Sequence, residues 1–158
     1  MSYDGSFMTR EGYEEMKREY EHLKSGRRRE ISAAIERARA MGDLRENAEY
    51  TAAKEAAALN EKRIAEIEHT LSRAQIMDSS RMEQDKALLG ARVKLRCLDD
   101  NEEEEYMLVA EVEANFSKQK LSVTSPIGKA LLGHKQGDVL SIQVPSGMLR
   151  YEILSISR

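Results

Sequence analysis

The sequence predicts an α+β chain: a long N-terminal antiparallel α-helical coiled-coil hairpin, followed by a compact, mainly antiparallel β domain with one short helix. Three observations carry this expectation. From Thr9 to about Met77 apolar and small residues recur every three or four positions, the period of a helix stripe. After Ser79-Ser80 they recur every second position, the period of a half-buried strand. Both prolines, Pro126 and Pro145, fall in the second part, so nothing interrupts the helical run.

The first helix is expected from Thr9 to about Met41, with Tyr13, Met16, Tyr20, Leu23, Ile31, Ala34, Ala38 and Met41 on its stripe. Between Leu23 and Ile31 the rhythm needs an extra residue, as at a coiled-coil stutter, and Arg27 is expected to fill the seam beside Gly26. Thr9 with Gly12 does not make a capping box, which leaves the helix start open by a turn. The second helix is expected from about Leu44 to Met77, its stripe running through Ala48, Ala52, Ala56 and Leu59 to Ile64, Ile67, Leu71 and Ala74. Two helices of about 33 residues, at about 1.5 Å rise each, make a rod of roughly 50 Å. Its tip should project beyond any body built from the remaining residues.

In the second part Val93, Leu95 and Cys97 alternate in one strand. Tyr106-Met107-Leu108-Val109 forms another beyond the acidic stretch Asp99 to Glu105, read as a solvated hairpin tip. Leu121 and Val123 follow. Ile127 to Leu132 reads as a short helix closed by Gly133. Leu140, Ile142 and Val144 alternate before the turn Pro145-Ser146-Gly147, and Leu149, Tyr151 and Ile153 after it. The expected division is therefore 1–78 for the hairpin, with its tip at 42–47, and 79–158 for the β domain.

Composition narrows the function classes. Of 158 residues 34% are charged and 5% aromatic, which suits helices exposed on several sides rather than a thick aromatic core. A net charge of −3 gives no global attraction to nucleic acid, so any electrostatic role must be local. One such window, Lys24 to Arg45, carries Lys24, Arg27, Arg28, Arg29, Arg37, Arg39 and Arg45; from charge alone it reads first as a solvated helix face. Cys97 is the sole cysteine, so an intrachain disulfide or a cysteine-built metal site is excluded, and a cytoplasmic protein is expected. The first residues lack the basic and apolar regions of a signal peptide, and no apolar run approaches the roughly 20 residues that span a bilayer.

The connection between the helices is Met41-Gly42-Asp43-Leu44-Arg45-Glu46-Asn47. Gly42 can take the left-handed conformation that ends a helix. Asp43 is expected to cap the second helix, with Glu46 completing a capping box. That geometry would put two carboxylates on one face of a helical turn. Mg²⁺ accepts one or two carboxylates and leaves its other positions to water or phosphate, so such a pair could complete a site supplied by a partner but could not hold the ion tightly alone.

The stretch Gly42-Asp43-Leu44-Arg45-Glu46-Asn47-Ala48-Glu49-Tyr50 closely resembles the tip signature of the Gre transcript-cleavage factors. Met8-Thr9-Arg10-Glu11-Gly12 resembles the family's start. Ser125-Pro126-Ile127-Gly128-Lys129-Ala130-Leu131-Leu132-Gly133 and Gly137-Asp138 resemble its FKBP-like domain, with His134 where the family often has lysine. The resemblance covers nearly the whole chain. It implies a monomeric factor that enters the secondary channel of bacterial RNA polymerase and stimulates the polymerase's own cleavage of backtracked RNA. Asp43 and Glu46 would be the catalytic and metal-binding pair, sharing Mg²⁺ with the polymerase active site. Arg45 and Lys54 would contact the nascent RNA 3′ end, and Ser125, Pro126 and Ile127 would dock on the polymerase. Two alternatives stay open: an inhibitory factor of the same channel, which would carry additional tip acids, and an FKBP-type prolyl isomerase, for which the second part offers only Tyr106, Phe116 and Tyr151.

Overall fold

The computed structural model describes residues 6–158. In chain order the elements are strand β1 (Phe7–Met8), helix α1 (Arg10–His22), a π-helical turn (Leu23–Arg27), helices α2 (Arg28–Arg39) and α3 (Ala48–Arg73), and strand β2 (Gln75–Ile76). Strands β3 (Arg92–Cys97), β4 (Glu103–Val109) and β5 (Lys120–Ser122) follow, then helix α4 (Pro126–Leu131) and strands β6 (Val139–Val144) and β7 (Gly147–Ser157). The α+β architecture is the expected one.

The chain divides into two compact units. One is Tyr13–Ala74, the helical hairpin. The other joins the residues through Gly12 to everything from Gln75 onward. The division thus differs from the expected 1–78 and 79–158, because β1 pairs in parallel with β2, with Phe7 opposite Gln75 and Met8 opposite Ile76. Main-chain bonds from Gln75 to Ser6 (2.7 Å) and from Met77 to Met8 (2.9 Å) close this pair. Thr9 belongs with it: its hydroxyl accepts from the Gly12 amide (3.0 Å), and the Glu113 carboxylate accepts both the Thr9 amide (3.1 Å) and the Thr9 hydroxyl. A long-range carboxylate thus completes the helix start, which no local capping box could supply.

In the hairpin unit Met16, Ile31 and Ala38 of the expected first stripe are buried, but its last member, Met41, lies beyond the end of α2 and is 66% exposed. The irregularity between Leu23 and Ile31 is real, but a π turn absorbs the extra residue. Arg27 does not fill the seam. It is exposed and ion-paired with Glu30 (3.1 Å). The second stripe is out of phase in its first half. Ala53, Asn60, Ile64 and Ile67 are buried, whereas Leu59 is 67% exposed. The seam takes the polar Asn60 in place of its apolar neighbour.

In the other unit a five-stranded sheet runs β5-β4-β3-β7-β6. β3 is central, antiparallel to both β4 and β7, and β7 is antiparallel to β6; only β4–β5 is parallel. Val93, Leu95, Leu108, Leu131 and Ile153 are fully buried in its core. Each contributes on the order of 1.5–3 kcal/mol relative to an exposed side chain. The acidic stretch is not all hairpin tip. Glu103, Glu104 and Glu105 lie in β4, where Glu103 pairs with Arg96 (3.2 Å) and Lys94 (3.5 Å) across the ladder and Glu104 accepts from the Tyr106 hydroxyl (2.9 Å). Among the described residues no helix is long and apolar enough to cross a membrane.

Candidate functional site

The helices are joined by residues 40–47, a longer and less helical turn than expected. Gly42 has φ +115°, which side-chain-bearing residues rarely adopt, and it turns the chain away from the end of α2. Asp43 does not cap α3. Its Oδ1 accepts from the Arg45 amide (2.9 Å) in a local Asx turn, and Glu46 stands outside the helix. The cap is Asn47, whose Oδ1 accepts from the Tyr50 amide (3.1 Å).

Asparagine and aspartate cap a helix about equally well, so the choice is made by the other half of the side chain. Asn47 Nδ2 donates to the Ala38 carbonyl (2.6 Å) in the last turn of α2, which also accepts from the Met41 amide (3.1 Å). A carboxylate has no proton to offer there. One asparagine therefore starts α3 and ties it to α2, and residues 43–46 are left as an exposed turn fixed at its base. The two carboxylates share a turn, not a helical face.

Hard oxygen donors at Asp43 and Glu46 suit Mg²⁺, and the Asp43 carboxylate keeps accepting capacity beyond the Arg45 amide. Among the described residues no group of three or more His, Cys, Asp or Glu side chains could hold a metal ion. Two carboxylates on one exposed turn suit an ion whose remaining ligands come from elsewhere. Arg45 is exposed within the turn. Lys54 lies on α3, its ammonium 5.6 Å from the centre of the Tyr50 ring, and the Arg39 guanidinium is 5.9 Å from that same ring. The sequence reading missed Asn47 as the cap and Tyr50 as the ring between two cations, and had Arg39 only as one of the basic residues from Lys24 to Arg45. The spacing of Tyr50 and Lys54, four apart on one helix face, was the available signal.

Of the residues expected to dock, Ser125 caps α4, accepting from the Gly128 amide (3.0 Å) and donating to the Ser122 carbonyl (2.6 Å). Gly128 is needed because a Cβ there would overlap that same carbonyl. Ile127 packs against the core, and Pro126, at the start of α4, is exposed. Pro126 is thus the member of the trio with its surface open. Tyr106 and Tyr151 are buried in the core, so among the described residues no ring of exposed aromatics forms a proline pocket.

Residues 6–76 match the family described as transcription elongation factor, N-terminal, and residues 82–158 match transcription elongation factor, GreA/GreB, C-terminal. The chain belongs to the GreA/GreB transcription elongation factor family. It is 47% identical to transcription elongation factor GreA of Flavobacterium johnsoniae, over 97% of each chain. It is 48% identical to that of Thermotoga sp. strain RQ2, over 94% of this chain and 95% of the relative. Among solved structures, GreA factor homolog 1 of Thermus thermophilus is 32% identical, over 96% of this chain and 98% of its own, with a TM-score of 0.43. A GreA/GreB factor from Nitrosomonas europaea is 29% identical over 60% of this chain and 79% of its own, with a TM-score of 0.44. In this GreA/GreB chain the acidic turn belongs to the hairpin unit and Ser125, Pro126 and Ile127 to the other.

Proposed function

We propose that the chain is a transcript-cleavage factor that enters the secondary channel of a backtracked RNA polymerase and stimulates the polymerase's own hydrolysis of the extruded RNA. Family membership supports the elongation role. The observation that carries the finer reading is the pair of exposed carboxylates, Asp43 and Glu46, on a turn fixed by Asn47 against Ala38.

Mg²⁺, shared with the polymerase active site, would supply charge stabilisation to the attacking and leaving oxygens of phosphodiester hydrolysis. Asp43 is the residue to hold that ion, and Glu46 the one to assist it or to orient the attacking water. Arg45 and Lys54 neutralise RNA phosphates, and Pro126, with Ser125 and Ile127 behind it, contributes to docking. The chain supplies part of a site; the polymerase supplies the rest, which makes this an accessory factor and not a free-standing nuclease.

The test is to add the protein to a stalled, backtracked elongation complex and follow the RNA 3′ end. Shortened RNA with a new, extendable 3′ end is expected, with no cleavage of naked RNA. Binding to the complex with arrested RNA left intact would favour an inhibitory factor instead.

A further inference from the structure

The unit that holds the five-stranded sheet carries a cavity of about 460 Å³ between the start of α1, the segment after β2 and the first residue of β3. That volume lies within the range of small-molecule sites. Met77, Met82, Met107 and Leu89 give it a soft, polarisable wall of the kind that takes a flat ring well. The Arg158 guanidinium fixes one side of that wall. It donates to the Leu89 carbonyl (3.1 Å), the Glu83 carbonyl (3.1 Å) and the Met82 sulfur (3.8 Å).

Two further guanidiniums, Arg10 and Arg92, line the same cavity. Both are exposed, and among the described residues no carboxylate lies in ion-pair range of either. Asp78 is committed elsewhere: it accepts from the Ser80 hydroxyl (2.6 Å) and amide (3.1 Å) and pairs with Arg81 (3.3 Å). The backbone sets where the two arginines stand. Arg10 follows Thr9, which Glu113 holds, and Arg92 lies directly across the β-ladder from Met107. Charge and apolar wall therefore adjoin. Glu11, exposed on the same lining, adds an acceptor.

This combination selects a ligand class. Guanidiniums without carboxylate partners favour a phosphate, which meets the planar fork with paired hydrogen bonds. The methionine wall favours an aromatic ring, and Glu11 accepts from a hydroxyl or amino group. Inorganic phosphate would leave the wall unused, and a fatty acid would offer Glu11 nothing to accept. A nucleoside monophosphate supplies all three groups.

We propose that this cavity is a nucleotide-binding site, with the base on Met77, Met82 and Met107, the phosphate on Arg10 and Arg92, and the ribose hydroxyls on Glu11. It lies in a different unit from the acidic turn and does not depend on the transcript-cleavage reading.

The experiment titrates the full chain, labelled at its methionine methyl groups, with AMP, GMP, CMP and UMP and follows the NMR shifts. At least one nucleotide should give saturable shifts at Met77, Met82 and Met107, with Met16, Met41 and Met148 unmoved. Ribose 5-phosphate, which lacks the ring, and the matching nucleoside, which lacks the phosphate, should each bind at least roughly tenfold more weakly. Arg10→Gln and Arg92→Gln should each weaken nucleotide binding by roughly tenfold, the factor for one charge-assisted contact, and leave nucleoside binding unchanged.

No saturable shift with any of the four nucleotides up to millimolar concentration would overturn the proposal, as would shifts confined to the other methionines. Ribose 5-phosphate binding as tightly as the nucleotide would reduce the site to a phosphate contact and overturn it too. So would arginine variants that bind nucleotide like wild type. If an arginine variant fails to fold, the methyl shifts of the wild-type chain and the comparison with ribose 5-phosphate decide by themselves.

Discussion

The side-chain amide of Asn60 donates to the main-chain carbonyl of Leu23, 3.0 Å away, in the seam between the hairpin's two helices. Leu23 opens the π turn, where the regular ladder of the helix is widened, and Asn60 is only 7% exposed. Beside it lie two bidentate pairs, Arg28 with Glu61 (2.8 and 2.9 Å) and Arg63 with Glu19 (3.0 and 3.1 Å). A polar group buried in a helix seam is satisfied in one register and orphaned in others. Asn60 therefore couples the register of the hairpin to the position of its one irregularity.

Replacing Asn60 tests this directly. Asn60→Ala should destabilise the hairpin by about 0.5–1.5 kcal/mol, the net worth of a lost hydrogen bond to a part-buried carbonyl. Asn60→Asp should be destabilised at neutral pH, because a carboxylate would face the carbonyl. It should recover as pH falls and the acid regains a proton to donate. Urea unfolding followed by far-UV circular dichroism, at neutral and acidic pH, measures both.

The Arg28–Glu61 pair gives a pH prediction with a fixed sign. Hydrogen bonding to Arg28 lowers the Glu61 carboxyl below its ordinary value. Its contribution is therefore present above the unfolded-state pKa and lost as pH falls through the lower, folded value. Wild type and Glu61→Gln should differ in stability at neutral pH and converge in acid. Both groups are exposed, so the gap should be small and shrink with added salt. A gap that widens on acidification would contradict the assignment.

The fold was legible where one period dominated. Met16, Ile31 and Ala38 on the first helix, and alternating Val93, Leu95 and Cys97, needed only their spacing. What escaped was decided by partners far away in the sequence. Glu113 completes the start of α1 from a hundred residues off, and β1 finds β2 across the whole hairpin. In α3 the stripe was misread at Leu59 because hydrophobicity favours leucine over asparagine, and only the π turn at Leu23 makes Asn60 the better occupant. At the tip, residue types located the turn and its acids. They did not choose between Asp43 and Asn47 as the cap, because both cap well and the deciding bond, to Ala38, crosses between helices.

Asn47 should accordingly matter twice. Asn47→Ala loses both a cap, worth about 1 kcal/mol, and the bond to Ala38. Asn47→Ser restores the cap but has no amide to reach across, so it should recover only part of the stability. Cleavage by both should fall more than binding does, since the turn loses its fixed base. Thermal melts alongside cleavage assays separate the two effects, and a serine variant equal to wild type would show that the Ala38 bond contributes nothing.

The docking role falls on Pro126. Glutamate is tolerated at the start of a helix, so Pro126→Glu should leave α4 folded while changing its exposed surface. The factor concentration giving half-maximal cleavage should rise severalfold with the maximal rate unchanged, because docking raises the effective concentration of the tip without entering the chemistry. A lower maximal rate at unchanged half-saturation would move Pro126 from docking to the catalytic step.

The tip acids carry the sharpest prediction, and the geometry makes it cleaner than a capping role would. Asp43 accepts one amide proton, from Arg45, in an Asx turn that asparagine or serine can also make. Asp43→Asn and Asp43→Ser should therefore leave the turn and both helices intact, with stability changed by less than about 1 kcal/mol. Glu46→Gln, outside the helix and exposed, should be equally silent for folding. All three should still compete with wild type for polymerase. Each removes a negative charge that a neutral side chain replaces poorly at Mg²⁺. A loss of about 3 kcal/mol of transition-state stabilisation slows cleavage roughly a hundredfold, and Asp43→Asn should be the more severe of the two amide changes. Raising the Mg²⁺ concentration should recover part of the rate in Asp43→Asn, where metal affinity is the defect, and less in Glu46→Gln if that residue acts on the water. Near-wild-type cleavage by Asp43→Asn and Asp43→Ser, with normal binding, would leave Asp43 as a turn-former alone and refute the proposed metal role.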